Sequence, residues 1–327
     1  VLGDVQYAWL AHNQSFVSVT ERQDRYFWTK IQGNTGVPGA LKRDKMVILH
    51  SLEALREWQD SVRWKDRKTS FVPTMGALHE GHLSLIAKAL EQAELVVVST
   101  LVNPTQFNNS SDYEEYPRTL ESDSEKAARI GAHAVFAPTA EGLYQGVPTA
   151  PEVRWGALTD AYEGAFRAGH FDGVIRVVDL LFQSVQPDSA VFGAKDLQQV
   201  AVVRRVAEER HPSVAIVVGD LVRDARGLAL SSRNVRLDDE GLEQALALHE
   251  ALSSIRAAGE SLADDGCWAD ALEEARQRLR EQVTLEYLDV VDGDTFEPKR
   301  TKGQRPSYAV VAAHVQGVRL IDNMRVG

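Results

Sequence analysis

The chain has 327 residues, a formal net charge of -11 and a pI near 5.4, with 44% hydrophobic and 25% charged residues. These values match soluble globular domains and exclude a disordered or fibrous chain, and the length suffices for one large or two ordinary domains. Basic residues are interspersed among a larger acidic set, which argues against a nucleic-acid groove or an anionic membrane surface, so any anion site must be local.

Residues 1–45 are mixed, without clear periodicity, and lack the basic start, apolar centre and small-residue cleavage site of a secretion signal. They are set aside as an N-terminal extension of unknown role. Leu52, Leu55 and Trp58 then repeat at helical spacing. From there, strand-like runs at 70–73, 95–102, 134–137, 189–192 and 214–218 alternate with helical stretches at 83–92, 122–131, 173–185 and 197–209. That alternation predicts a doubly wound parallel sheet in an α/β domain over 46–220. Helical stretches at 238–258 and 268–282, followed by strands at 285–291, 308–314 and 318–321, predict a smaller C-terminal α+β domain over 221–327. The single cysteine, Cys267, cannot form an intramolecular disulfide, and no apolar run is long enough for a membrane span, so a cytoplasmic location is expected.

Four stretches carry chemistry. In 72–82 a strand end, a glycine turn and a helix start bear His79 and His82, three residues apart and so on one face of a first helical turn. Unpaired backbone N–H groups and the helix dipole favour phosphate there, and two imidazoles can donate to the charge that builds as pyrophosphate leaves. A zinc site would need a third or fourth ligand, and no cysteine or further histidine lies nearby in sequence. In 192–199 a strand again leaves through a glycine into a helix, placing Lys195 to reach phosphate oxygens, Asp196 to accept from ribose hydroxyls and Gln199 to hold a polar substrate. An ordinary helix start with an exposed lysine would look the same. In 228–234, after Gly227, serine hydroxyls and Arg233 suit a loop that closes over a triphosphate, or equally a helix cap. In 102–107, at a strand end, the neutral amide of Gln106 can bind a hydroxyl-bearing acid without neutralising its carboxylate.

In this order the four stretches resemble the pantothenate synthetase family, ligases of pantoate and β-alanine. The resemblance runs from about residue 46 to the C-terminus and includes Glu163, Gly164, Arg167, Gly169, His170 and Phe171, and Leu320, Ile321, Asp322 and Asn323. It implies a Rossmann-like nucleotidyltransferase domain, a smaller C-terminal lid, a homodimer, and ATP with Mg2+. It further implies that Met75, Gly76, Ala77, Leu78, His79, Glu80, Gly81 and His82 bind ATP, with His82 as general acid and His79 assisting on the phosphates. Gly193, Ala194, Lys195, Asp196, Leu230, Ser231, Ser232 and Arg233 would line the same site with a backbone contact at Val222, Lys195 and Arg233 stabilising the leaving phosphates. Gln106 and Gln199 would hold pantoate, and Gln106 would also lie near β-alanine. The chain departs from the family pattern at Arg176, where a threonine is usual, and at Ala194, where a glutamate is common. The acidic cluster after residue 119 is reduced to Glu121 and Asp123, which leaves the metal ligands unassigned. Two rivals stand beside the ligase: a plain nucleotidyltransferase sharing the HxGH turn, and a nucleotide-binding homologue that no longer turns over, for which Arg176 is the hint.

Overall fold

Burial on both faces of the central strands dictates the architecture. In β2 (Thr69–Thr74) and β3 (Leu95–Thr100), Phe71 and Val97 point to one apolar cluster and Val72, Val96 and Val98 to another, all fully buried. β-Branched residues packed on two sides are the mark of a parallel sheet covered by helices on both faces. The computed structural model describes residues 46–261, 266–303 and 305–327, so the extension over residues 1–45 lies outside the described residues.

Six parallel strands run in the order β1 (Val47–Leu49), β4 (Ala134–Phe136), β3, β2, β5 (Ser189–Gly193) and β6 (Ala215–Gly219). Chain order reverses between β2 and β5, and in an open α/β sheet the crevice outside the carboxyl ends of the strands at such a switch is where ligands bind. Helices α1 (Leu52–Ser61), α2 (Glu80–Leu90), α3 (Leu120–Ile130), α4 (His170–Val185) and α5 (Leu197–Arg210) connect and cover the strands. Beyond β6, α6 (Asp239–Ser261) and α7 (Ala269–Arg280) pack through Leu248, Leu252, Ile255, Leu272 and Leu279 on one face of an antiparallel sheet, β7 (Thr284–Asp292), β8 (Ser307–Val315) and β9 (Val318–Arg325). The other face of that sheet, through Tyr287, Val291 and Val310, joins the apolar cluster of the six-stranded sheet. Among the described residues no helix is long and apolar enough to cross a membrane.

Two differences from the sequence reading have physical causes. The strand β1 is only three residues long, too short to show a period, and is fixed by its pairing with β4. β9 continues to Arg325 rather than stopping after Ile321, because Asp322 and Asn323, polar but buried, find partners inside the protein. Arg223 donates to both carboxylate oxygens of Asp322 at 2.6 and 2.8 Å, and the Asn323 amide donates to the Ala194 and Lys195 carbonyls, both at 2.9 Å.

Candidate active site

The two strand ends at the switch point supply the first two walls of a cavity. β2 ends at Thr74, and the chain turns through Gly76, Ala77 and Leu78 into α2, whose N-cap is His79 and whose third residue is His82. The expected pair on one helical face is here a capping box. The Gly81 N–H donates to His79 Nδ1 at 3.2 Å and the His79 N–H to His82 Nδ1 at 3.3 Å, with ring centroids 4.1 Å apart. Because each Nδ1 accepts, each neutral ring carries its proton on Nε2, the remaining donor. Burial first, then the charge of Lys195, lowers the pKa of His79 to about 4. Burial first, then the neighbouring His79, lowers that of His82 to about 3. Both rings are therefore neutral donors at neutral pH.

β5 delivers Gly193, Lys195 and Asp196 to the same cavity, and the following helix adds Gln199. The loop after β6 brings Val222, Leu230, Ser231, Ser232 and Arg233 from the third side. This loop is pinned at its base by the Leu230 N–H donating to the Val222 carbonyl at 3.0 Å and by the Arg223 to Asp322 pair. Arg233 Nη2 lies 2.7 Å from Asp112 Oδ2, and Arg236 adds a contact to Asp112 at 3.5 Å.

The fourth wall is the turn Pro104–Gln106. It lies against α4 so closely that a Cβ at Gly173 would sit 2.2 Å from the Thr105 carbonyl oxygen, a contact only glycine allows. Asn103, 1% exposed, donates to Gln106 Oε1 at 3.1 Å and to the Gly173 carbonyl at 3.2 Å. With its oxygen thus occupied, Gln106 presents its Nε2 group, which contacts Met75 Sδ at 2.8 Å, as the donor. Behind it, His170 Nδ1 donates to the Gln106 carbonyl at 2.9 Å and its Nε2 accepts from Arg167 at 3.1 Å. Burial, with Arg167 second, holds His170 at about 3, so it stays neutral and serves as a brace.

The structure thus brings Met75, His79, Gly81, His82, Gln106, Gly193, Lys195, Asp196, Gln199, Val222, Leu230, Ser231, Ser232 and Arg233 around one cavity. Gly76, Ala77, Leu78, Glu80 and Ala194 are outside its lining: the first three form the turn beneath the histidines, and the Ala194 carbonyl is taken by Asn323. Arg176 is also outside it, 3.6 Å from Asp179 on its own helix.

With that geometry in place, comparison with known proteins gives the family. A model of the pantoate-beta-alanine ligase family matches residues 47–325. The chain belongs to that family. It is similar to a pantothenate synthetase of Nocardioides sp., 45% identical over 85% of this chain and 84% of that protein, and to one of Rubrobacter xylanophilus, 42% identical over 84% and 97%. Among solved structures, pantothenate synthetase from Thermus thermophilus matches with a TM-score of 0.79 at 39% identity, covering 86% of this chain and 99% of that one. Pantoate-beta-alanine ligase from Francisella tularensis, complexed with beta-gamma ATP and β-alanine, matches with a TM-score of 0.70 at 31% identity, covering 86% and 97%.

Within this ligase fold, several residues around the site act through partners that no local pattern reveals. Gln198, beside Gln199, turns its amide to the backbone: it accepts from the Glu163 N–H and donates to the Leu158 and Ala161 carbonyls. Glu163 accepts from Arg319 at 2.8 and 2.6 Å, from Tyr287 at 2.7 Å and from Arg167 at 3.3 Å. Burial pushes the Glu163 carboxyl up, but the Arg319 hydrogen bonds and charge outweigh it and hold it at about 2. Arg319 and Tyr287 come from strands more than a hundred residues away and leave no local pattern to read, whereas Arg167 lies four residues on.

Proposed function

We propose that this pantoate–β-alanine ligase grips ATP in the cavity at the sheet switch point and activates pantoate there as its acyl-adenylate, which β-alanine then opens to give pantothenate and AMP. The observation that carries this reading is the convergence of His79, His82, Lys195 and Arg233, from three separate segments, around one cavity that also holds Gln106 and Gln199. The pantoate carboxylate attacks the α-phosphorus, the bond from that phosphorus to the bridging oxygen breaks so that pyrophosphate leaves, and the negative charge that builds on the phosphates is met by the Nε2–H groups of His79 and His82 and by Lys195 and Arg233. Preorganised donors of this kind need no reorientation as charge develops. Asp196 is placed to accept from ribose hydroxyls, and Gln106 and Gln199 to hold pantoate through its hydroxyls and carboxylate. The amine of β-alanine then attacks the acyl carbon, the acyl–phosphate bond breaks, and AMP leaves. Enclosure serves both steps, since water would hydrolyse the mixed anhydride.

Mg2+ would accompany the triphosphate, held mainly by phosphate oxygens and the waters it keeps. Its chemistry is to neutralise phosphate oxygens. Residues 221–327 act as the lid that brings Ser231, Ser232 and Arg233 onto the nucleotide. The working form is a cytoplasmic homodimer. The lone cysteine Cys267 suits a reducing compartment, and the family resemblance supports the dimer.

Incubated with ATP and pantoate, the enzyme is expected to release pyrophosphate, and AMP should accumulate only when β-alanine is added. Pyrophosphate released with pantoate, with no AMP formed even after β-alanine is added, would instead favour a plain nucleotidyltransferase that stops at the adenylate. A further expectation concerns Asp112, whose carboxylate competes with phosphate for Arg233. Partly exposed pairs of this kind are worth about 1 kcal/mol at most. Asp112→Asn should therefore lower the KM for ATP by about two- to fivefold, read from initial rates at saturating pantoate. An increase in KM would mean that Asp112 orients Arg233 rather than competing for it.

A further inference from the structure

The turn beneath the two histidines has unusual backbone. Gly76 has φ of 85° and Ala77 φ of 50°, the left-handed region that glycine enters freely and alanine does not. Something must hold Ala77 there. Asp123, in the first turn of α3 and 0% exposed, accepts from the Ala77 N–H through Oδ2 at 2.9 Å and from the Leu78 N–H through Oδ1 at 2.7 Å. Its Oδ2 also accepts from Thr119 Oγ1 at 3.0 Å, and three residues on, Lys126 Nζ donates to the Leu78 carbonyl at 2.7 Å. The fit is close on the turn side as well, since a Cβ at Gly76 would stand 3.0 Å from Asp123 Oδ2.

We propose that Asp123 is a positioning residue for the adenylation step. It clamps the Gly76, Ala77 and Leu78 turn in its left-handed form and thereby sets where His79 and His82 meet the phosphates. The inference rests on the ligase reading above. It also decides between two fates for a carboxylate that the sequence leaves as a candidate metal contact. Both oxygens are committed to donors and neither reaches solvent, so Asp123 serves the backbone and not a hydrated magnesium ion. The chemistry of the clamp is simple. Two adjacent N–H groups in a buried turn require acceptors, and one carboxylate supplies both while paying no entropy for a mobile side chain. Removing it leaves Ala77 free to relax toward negative φ, which carries the N-cap His79 with it. A displacement of about 1 Å at reacting groups can lower a rate about a hundredfold.

The test is Asp123→Asn, which keeps the size of the side chain but turns an NH2 group toward one of the two N–H donors. Pantoate-dependent pyrophosphate release should fall about ten- to a hundredfold, while the KM for β-alanine stays within about twofold and thermal unfolding shows a folded protein. Adding Ala77→Gly to Asp123→Asn should recover at least about a third of the lost rate on a logarithmic scale, because glycine holds positive φ without help. That rescue separates positioning from a general loss of structure. If Asp123→Asn fails to fold, Lys126→Met carries the test through the Leu78 carbonyl: a several-fold fall in the same step with an unchanged KM for β-alanine is expected, and a native rate overturns the proposal. A native rate in Asp123→Asn also overturns it, as does a defect relieved by raising magnesium, which would mark a metal contact. Failure of Ala77→Gly to restore any activity overturns it as well. If the unsubstituted enzyme releases no pyrophosphate with pantoate, it is the ligase reading that fails and not the role of Asp123.

Discussion

Replacing His82 with alanine is expected to lower the rate of pyrophosphate release by about two to four orders of magnitude while leaving the protein folded. The ring contributes a capping bond as well as a catalytic donor: His82 Nδ1 accepts from the His79 N–H at 3.3 Å, so part of the loss would come from a looser helix start. Two substitutions separate the roles. Glutamine at 82 can present an amide N–H to a phosphate oxygen but cannot transfer a proton. With the His82 pKa lowered to about 3 by burial and by His79, the ring is neutral at pH 7 and acts by donating a hydrogen bond. His82→Gln should then keep clearly more activity than His82→Ala. Equal loss in the two variants, together with an activity limb near pH 6.5 that disappears in both, would restore the imidazolium general acid that the family resemblance implies. Protonation is worked out in the same way for stability. A histidine whose pKa is lower folded than unfolded binds fewer protons in the native state, so its burial costs stability increasingly as pH falls below 6.5 and down through the folded values of about 4 for His79 and about 3 for His82. The polyphosphate would draw both values upward, so nucleotide binding should take up protons at mildly acidic pH.

Much of the site was legible because its residues sit where local sequence patterns change. His79, His82 and Lys195 each follow a glycine at the end of an apolar strand, and a parallel sheet sends such ends to one edge; the chain order of β2 and β5 then makes that edge the switch point. Gln106 was found through the same logic, although it sits in a short turn after β3 and not on the strand itself. What could not be read is the support. Asp123 stands out in the sequence only as part of a reduced acidic cluster, and the positioning role proposed for it follows from its contact with a turn 45 residues earlier. Gln198 and Gln199 are indistinguishable in sequence and both border the cavity, yet the Gln198 amide is taken up by the backbone of 158–163. Asp322 and Asn323 interrupt the apolar run of β9, and only their partners Arg223, Ala194 and Lys195 explain why the strand continues through them. Residues that touch substrate tend to follow local rules of turn and helix start, whereas residues that hold those in place answer to tertiary neighbours.

Arg319→Ala is expected to destabilise the protein by about 3 kcal/mol at pH 7, the lower end of what breaking a buried ion pair costs, because Arg167 still faces the carboxylate at 3.3 Å. Arg319 stands on β9 and ties the small sheet to the segment just before α4: it donates to both oxygens of Glu163 in that segment and through Nε to Glu286 of β7 at 2.9 Å. The Glu163 side chain is 8% exposed, so water cannot replace the lost donors. In the native chain the carboxyl is held at about 2, and the stability this contributes is present above the ordinary value of 4.5 and lost as pH falls from there toward 2. In Arg319→Ala only Arg167 and Tyr287 still oppose the effect of burial, so the folded carboxyl rises from about 2 and the stability tied to its ionisation shrinks. The difference between native and variant, measured by urea unfolding, should therefore be largest near pH 7 and narrow by about pH 4. A difference that stays constant with pH would mean that Arg319 acts by packing alone. The paired substitution of Glu163 by glutamine and Arg319 by methionine, which removes both charges, should cost less than Arg319→Ala. Activity should fall further than stability alone accounts for, because Arg319 also sets Glu163, Glu163 holds Arg167, and Arg167 with His170 braces the Gln106 carbonyl. The small sheet thus reaches the Gln106 wall of the cavity through a line of charge-assisted hydrogen bonds, so, on the proposed placement of pantoate there, a residue of β9 is expected to affect the KM for pantoate.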